Sequence, residues 1–224
     1  MSTPAIALVT DAALAIGDPN NQRVTLAQWN SIYNRSLREL CQKANVLKFR
    51  SVFALEPTAA YSYPPEMTVM TGMEATETPA DDESFRTLGE LFTDEFRAET
   101  STRYPVATIP GRYHPTSNWF YFVPRPQAEI LGGGRITYYG LPDRVVDEAA
   151  LAVANLQTAD FTQDLVTRRM IVYGMQARNR LVEARAEMEL WDADVQTLVD
   201  RLDDRSQDRP STIAPRRNRF AGMR

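Results

Sequence analysis

The sequence predicts an α+β fold, mainly α: a helical bundle with an inserted β-rich subdomain and an extended C-terminal arm. Three observations predict it. Leu181, Ala184, Met188, Trp191, Val195, Leu198 and Leu202 recur at alternating spacings of three and four, which aligns them along one seam of a helix that must be buried. Between residues 47 and 142 this period gives way to prolines and to short runs of β-branched and aromatic residues. After Arg209-Pro210 the chain switches to STIAPRRNRFAGMR, which holds four arginines, no acids and only Ile213, Phe220 and Met223 as sizeable apolar groups. So little apolar surface does not offset the entropy of ordering, so residues 210–224 read as a basic arm that orders against a partner. The expected divisions are N-terminal helices over 1–46, the β-rich part over 47–142, C-terminal helices over 143–209 and the arm.

Taken in order, residues 4–16 fit a short helix with Ile6, Val9, Ala13 and Ile16 inward, stopped by Gly17-Asp18-Pro19. Thr25 opens a stronger helix, with Gln28 three residues on as a capping box and Leu26, Trp29, Ile32, Tyr33, Leu37, Leu40, Cys41 and Ala44 at helical spacing. Strands are expected at 49–55, 68–71, 106–109, 119–123 and 135–139, with Thr116-Ser117-Asn118 as the turn before the run WFYFV. Phe85, Leu88, Leu91, Phe92 and Phe96 suit a helical turn or two across an acidic stretch. Beyond Pro142 a linker leads to a helix at 146–156. Thr162-Gln163-Asp164 then caps a long helical region reaching about Asp204, which Gly174 kinks or divides. In its first part Leu165, Val166, Met170, Tyr173 and Ala177 form the apolar stripe, its methionine read as core filler, with Arg168, Arg169, Arg178, Arg180 and Arg185 mostly off it.

With 224 residues, 43% of them hydrophobic, the chain suffices for one ordinary core or a bundle with one sizeable insertion. A net charge of −4 argues against general nucleic-acid binding, which needs a continuous basic face. The charge is segregated: residues 74–99 hold nine acids and two arginines, while the arm is purely basic. Such poles suit head-to-tail contacts, although a solvated loop is the simpler account of the acidic one. Cys41, the single cysteine, permits no internal disulfide and reads as a small buried apolar residue. The N-terminus lacks a basic region and carries Asp11 in a run too short to span a bilayer, so neither signal nor membrane anchor is expected.

Candidate chemistry is sparse. Gly132-Gly133-Gly134 is followed by the strand-like Arg135-Ile136-Thr137-Tyr138-Tyr139 rather than by a helix with a lysine, so a flexible hairpin turn is expected in place of a phosphate loop. His114, the only histidine, has no serine or cysteine pattern beside it, and one His with one Cys cannot build a metal site. The adjacent acids Asp81-Asp82-Glu83 and Asp203-Asp204 lack the burial that would separate a general acid from a base. No catalytic residue, metal or cofactor is expected; surfaces carry the work.

The order of segments is informative in itself. A short helix ending in Ile16-Gly17 and a Trp-containing helix precede the run RYHPTSNWFYFVPRP (112–126) and then GGGRITYYGLP, followed by paired C-terminal helices. This succession resembles the head-to-tail adaptor (connector) proteins of tailed bacteriophages. In these an aromatic strand closing on a proline, here Trp119 to Pro124, precedes a strand with a Tyr-x-x-x-Pro-like ending, here Tyr138 to Pro142. The likeness covers most of residues 5–205; the acidic insertion at 74–99 and the basic arm depart from the commoner pattern.

What the resemblance implies is a structural virion protein of the neck, assembled in the host cytoplasm. Its copies would form a ring, often twelvefold, between portal protein and a tail or nozzle protein, with genomic DNA passing through the lumen. The arm, through Arg216, Arg217, Arg219, Phe220 and Arg224, would dock on the portal, and Leu181, Met188, Trp191, Val195, Leu198 and Leu202 would form the bundle seam. Ordering such an arm costs about 1–2 kcal/mol per residue, whereas an exposed Arg–carboxylate pair returns about 0.2–1 kcal/mol. One arm binds poorly; a ring of arms at high effective concentration binds firmly. The competing accounts are a neck or tail-completion protein one ring further from the capsid, a DNA-binding regulator using the arginines of 168–185 and the arm, and an enzyme on cell-wall sugars.

Overall fold

The computed structural model describes residues 3–58, 60–101 and 104–207. The arm expected at 210–224, with Arg216, Arg217, Arg219, Phe220 and Arg224, lies outside the described residues. At 44% helix and 25% strand the chain is mixed α+β.

Helix α1 (Ala5–Ala15) presents Ala5, Leu8, Val9, Ala12 and Ala13 to the core, a wider buried face than the expected Ile6, Val9 and Ala13 stripe, and Ile6 is only partly covered. It ends where Gly17 takes φ 74°, a left-handed conformation that glycine adopts without steric cost. The buried Asp18 carboxylate then accepts from the backbone N–H groups of Val24, Arg23 and Gln22 at 2.9–3.0 Å. These bonds, that from Val24 foremost, hold its pKa below the ordinary value. Helix α2 (Leu26–Ala44) begins on the expected capping box: Gln28 N–H donates to Thr25 Oγ1 at 3.3 Å and Thr25 N–H to Gln28 Oε1 at 2.8 Å. Asn45, at φ 48°, closes it.

Among the described residues ten strands follow, in three sheets. The first has the order β1 (Lys48–Leu55), β10 (Ile130–Gly140), β3 (Met67–Ala75), β4 (Arg86–Thr87), all antiparallel. In the second, β2 (Ala60–Ser62) and β8 (Trp119–Val123) pair antiparallel, as do β8 and β7 (Arg112–Pro115), whereas β7 and β5 (Gly89–Glu90) run parallel. The third is a short parallel pair, β6 (Val106–Ala107) with β9 (Arg125–Pro126). Residues 116–118 make the expected turn, with Thr116 N–H donating to Trp119 O at 2.8 Å. Phe53, Phe120 and Phe122 stack edge to face or in parallel at centroid distances of 5.4–6.2 Å over a core that also holds Leu55, Met73, Ile136 and Tyr138.

Two expectations in this region are corrected. Gly132 to Gly134 lie inside β10 rather than in a hairpin turn, and Gly134 pairs with both Phe53 and Ala75. A Cβ on Gly134 would stand 2.5 Å from the Phe53 ring, so this glycine lets the ring lie against the sheet; one on Gly133 would meet Ile130 at 2.7 Å, and Gly132 takes φ 72°. The acidic stretch forms a 3-10 turn (Asp82–Ser84), β4 and β5 before a single helix, α3 (Thr93–Thr100); Leu88, in the core of the strands, and Leu91 are buried although neither lies in a helix.

The chain enters and leaves the strands at one place, where Gly140 N–H donates to Leu47 O at 3.1 Å. The returning segment is then held on α2, since Asn34 bonds both the N–H and the C=O of Val145 at 2.8 and 2.9 Å. Helix α4 (Glu148–Val153) is shorter than the expected 146–156, and helix α5 (Gln163–Ala177) packs against α1, α2 and helix α6 (Leu181–Gln207). The division falls at Arg178-Asn179-Arg180, where Asn179 takes φ 57°, not at Gly174. Gly174 stays helical because it is the contact point: a Cβ there would meet Trp29 at 2.7 Å and Ile16 at 3.0 Å.

Arg169 is the main departure from the expected pattern. It is 4% exposed, inside the helical core rather than off the stripe. Its Nε and Nη2 donate to the two Glu39 carboxylate oxygens at 2.8 and 2.6 Å, and Nη2 also donates to Tyr173 Oη at 2.8 Å. The Tyr173 hydroxyl donates to Glu39 at 2.5 Å, and the guanidinium lies 4.6 Å from the Trp191 ring centre. A planar fork matches a carboxylate in two bonds and an indole by its face, so one side chain joins α2, α5 and α6.

Two predictions follow from this core. Arg169→Met strands a charge, and urea unfolding should lose about 2–3 kcal/mol, short of a fully buried pair because water reaches Glu39. Adding Glu39→Leu should restore part of that loss; further destabilisation by the second change contradicts the pairing. On the other face of α2, burial pushes the Cys41 thiol and the Tyr33 hydroxyl up to about 12 from 9.0 and 10.0. Both are neutral acids with raised folded pKa, so their stabilising effect is intact below pH 9 and is lost as pH rises toward 12. The unfolding free energy from urea titrations should therefore fall across pH 9–12, by up to about a factor of ten in the unfolding equilibrium constant per unit of pH for each group, with Cys41→Ala flattening the fall.

Candidate functional site

The expected seam on α6 is covered along most of its length. Ala184, Trp191 and Val195 are buried, Met188 and Leu198 are partly buried against the same core, and Trp191 Nε1–H donates to Leu165 O at 2.8 Å. Leu181 is a correction. It opens the first turn of α6 at the chain reversal and stands 63% exposed, where no neighbouring helix covers it. Since Trp191 lies level with Leu165, near the start of α5, the turns of α6 that follow run on past the N-terminal end of α5. Leu202 lines clefts on two sides of this stretch. One, of about 430 Å³, is shared with Phe161, Leu165 and Leu198; the other, of about 900 Å³, lies between α6 and the face of the first sheet.

The larger cleft is lined by Lys43, Lys48, Arg50, Glu74, Thr137 and Tyr139 among others. Lys43 is committed to Asp192 on α6 at 2.6 Å, and Glu74 lies 3.5 Å from Arg135. Arg135 is 6% exposed; it also pairs with Asp82 and lies 3.5 Å from the Phe85 ring centre, which ties the acidic stretch to β10. Glu99 in turn pairs with Arg112. The acidic stretch is therefore in part a structural clamp, a role that spacing alone did not reveal because its partners lie 53 and 61 residues away.

The arginines of 168–185 are occupied within the chain. Arg168 pairs with Asp194, Arg169 with Glu39, Arg180 with Glu183 and Arg185 with Glu189, while Arg178 donates to the Ile16 carbonyl that ends α1. A phosphate backbone would have to displace these partners, which weighs against the DNA-binding alternative. His114 is buried, with Nδ1 2.9 Å from Leu91 O and its ring stacked 4.4 Å from Phe96, so it is a packing residue of the second sheet. Cys41 is buried in the helical core as expected. Among the described residues Asp18 is the one buried acid, and its oxygens are taken by backbone donors. No group of three or more His, Cys, Asp or Glu among the described residues could hold a metal, and no described helix is long and apolar enough to cross a membrane.

What the chain offers is surface: an overhanging helix end, clefts beside it and exposed sheet edges. Against known families, residues 3–219 match the family model described as SU10 adaptor protein. No curated protein matches the chain.

Proposed function

The chain belongs to the SU10 adaptor protein family, a family of phage head-to-tail adaptors, and on that premise we propose that its copies form a ring beneath the portal and join capsid to tail. As an adaptor it is a structural component of the virion. In this reading the helices form the bundle wall of a twelvefold ring set in the neck, a tail or nozzle protein binds below, and genomic DNA passes through the lumen. The arm docks on the portal through Arg216, Arg217, Arg219, Phe220 and Arg224. Joining two assemblies in this way requires no bond to be made or broken.

The span of the family match carries this reading: it takes in all the described helices and strands and extends into the arginine arm as far as Arg219. The position of α6 supports it, since its described turns after Trp191 run on past the N-terminal end of α5. Multiplicity supplies the affinity that a single arm lacks.

Deleting residues 210–224 should leave the far-ultraviolet circular dichroism and thermal midpoint unchanged while abolishing co-sedimentation with purified portal rings. Undiminished co-sedimentation of the truncated protein would refute the role of the arm.

A further inference from the structure

The first sheet carries opposite charge on its two outer edges. Its order places β1 and β4 outermost, about 14 Å apart at ordinary strand spacing. Strand β1, KFRSVFAL, contains two cations and no acid. Lys48 and Arg50 are exposed and make no ion pair among the described residues. Exposed Val52 stands on the same strand. At the other edge, the loop from β3 into β4 carries Glu77, Asp81, Asp82 and Glu83 beside Arg86 of β4, and all four acids are exposed. Arg135 accounts for Asp82, while Glu77 and Glu83 have no cationic partner among the described residues.

An outer strand with free backbone groups invites pairing with another chain, and the charges decide which pairing is tolerated. Two β1 edges repel each other, as do two acidic edges. A β1 edge facing an acidic edge is attractive, and because the two surfaces differ, the contact is head to tail, the kind that closes into rings.

We infer that neighbouring copies meet across this sheet, the Lys48 and Arg50 edge of one copy against the acidic 77–86 segment of the next. This rests on the ring-forming reading above and assigns it a lateral surface: a second copy of this chain is the partner, recognised by charge. The arm is left free for the portal.

The test loads full-length variants onto purified portal rings and counts bound copies by sedimentation velocity, with circular dichroism as a folding control. K48E/R50E and E77K/E83K should each assemble at least about tenfold more weakly than the native chain, because reversal places like charges opposite one another. An equimolar mixture of the two should recover assembly, since each reversed edge then finds its complement in alternating order; a misfolded variant could not be rescued in this way. Native-like loading by K48E/R50E, or failure of the mixture to recover, would overturn the inference while leaving the ring intact. Failure of the native chain itself to load would instead overturn the adaptor ring and the lateral contact with it.

Discussion

One buried guanidinium organises the helical half of this protein. Arg169 takes both oxygens of Glu39 and lies against the Trp191 ring, so helices contributed by residues as far apart as 39 and 191 meet around a single planar group. A charge removed from water is costly unless every donor is used, and this requirement makes the arrangement specific: few other registers of α2, α5 and α6 would satisfy it. Apolar packing supplies the bulk of the stability, with Trp29, Tyr33, Leu37 and Leu40 of α2 buried against Val166, Met170 and Val172 of α5. The ion pair selects which packing is realised.

From that joint the rest follows by connection. Fixing α2 fixes Asn45 and the start of β1, and the Asn34 bonds to Val145 fix the point at which the chain returns from β10. The first sheet is thus held on α2 from both sides, and a second buried arginine, Arg135, fastens the acidic segment to its far edge. Arginine plays the same part twice, binding a distant carboxylate where spacing along the chain provides no guide. The result is a rigid body whose exposed edges and projecting helix have defined positions, as a protein acting through contacts requires.

How much of this the sequence disclosed depended on how local the signal was. The capping box at Thr25 and Gln28, the stop at Gly17, the turn at 116–118 and the aromatic strand at 119–123 are written in neighbouring residues and were legible. The three glycines look like a turn in sequence because the reason for Gly134, the Phe53 ring against the sheet, comes from β1, far back in the chain. Gly174 looks like a divider for a similar cause: it is small to admit Trp29, while the break lies at Asn179. Periodicity leaves Arg169 outside the stripe because it ranks residues by polarity, and only the partner on α2 makes a buried arginine affordable. Strands of two or three residues, such as β2, β4 and β5, carry too little pattern to be seen. The surfaces were legible as charge segregation but not as geometry, since the placement of β1 and β4 on opposite edges comes from the sheet order.

The central claim is that this adaptor works by multiplicity, many identical copies holding one hollow partner. Native mass spectrometry of the full-length chain, alone and mixed with purified portal rings, addresses it most directly. The account predicts a monomer alone and, in the mixture, a single discrete mass corresponding to a fixed number of chains on each portal ring. A chain that remains monomeric in the presence of the portal contradicts it.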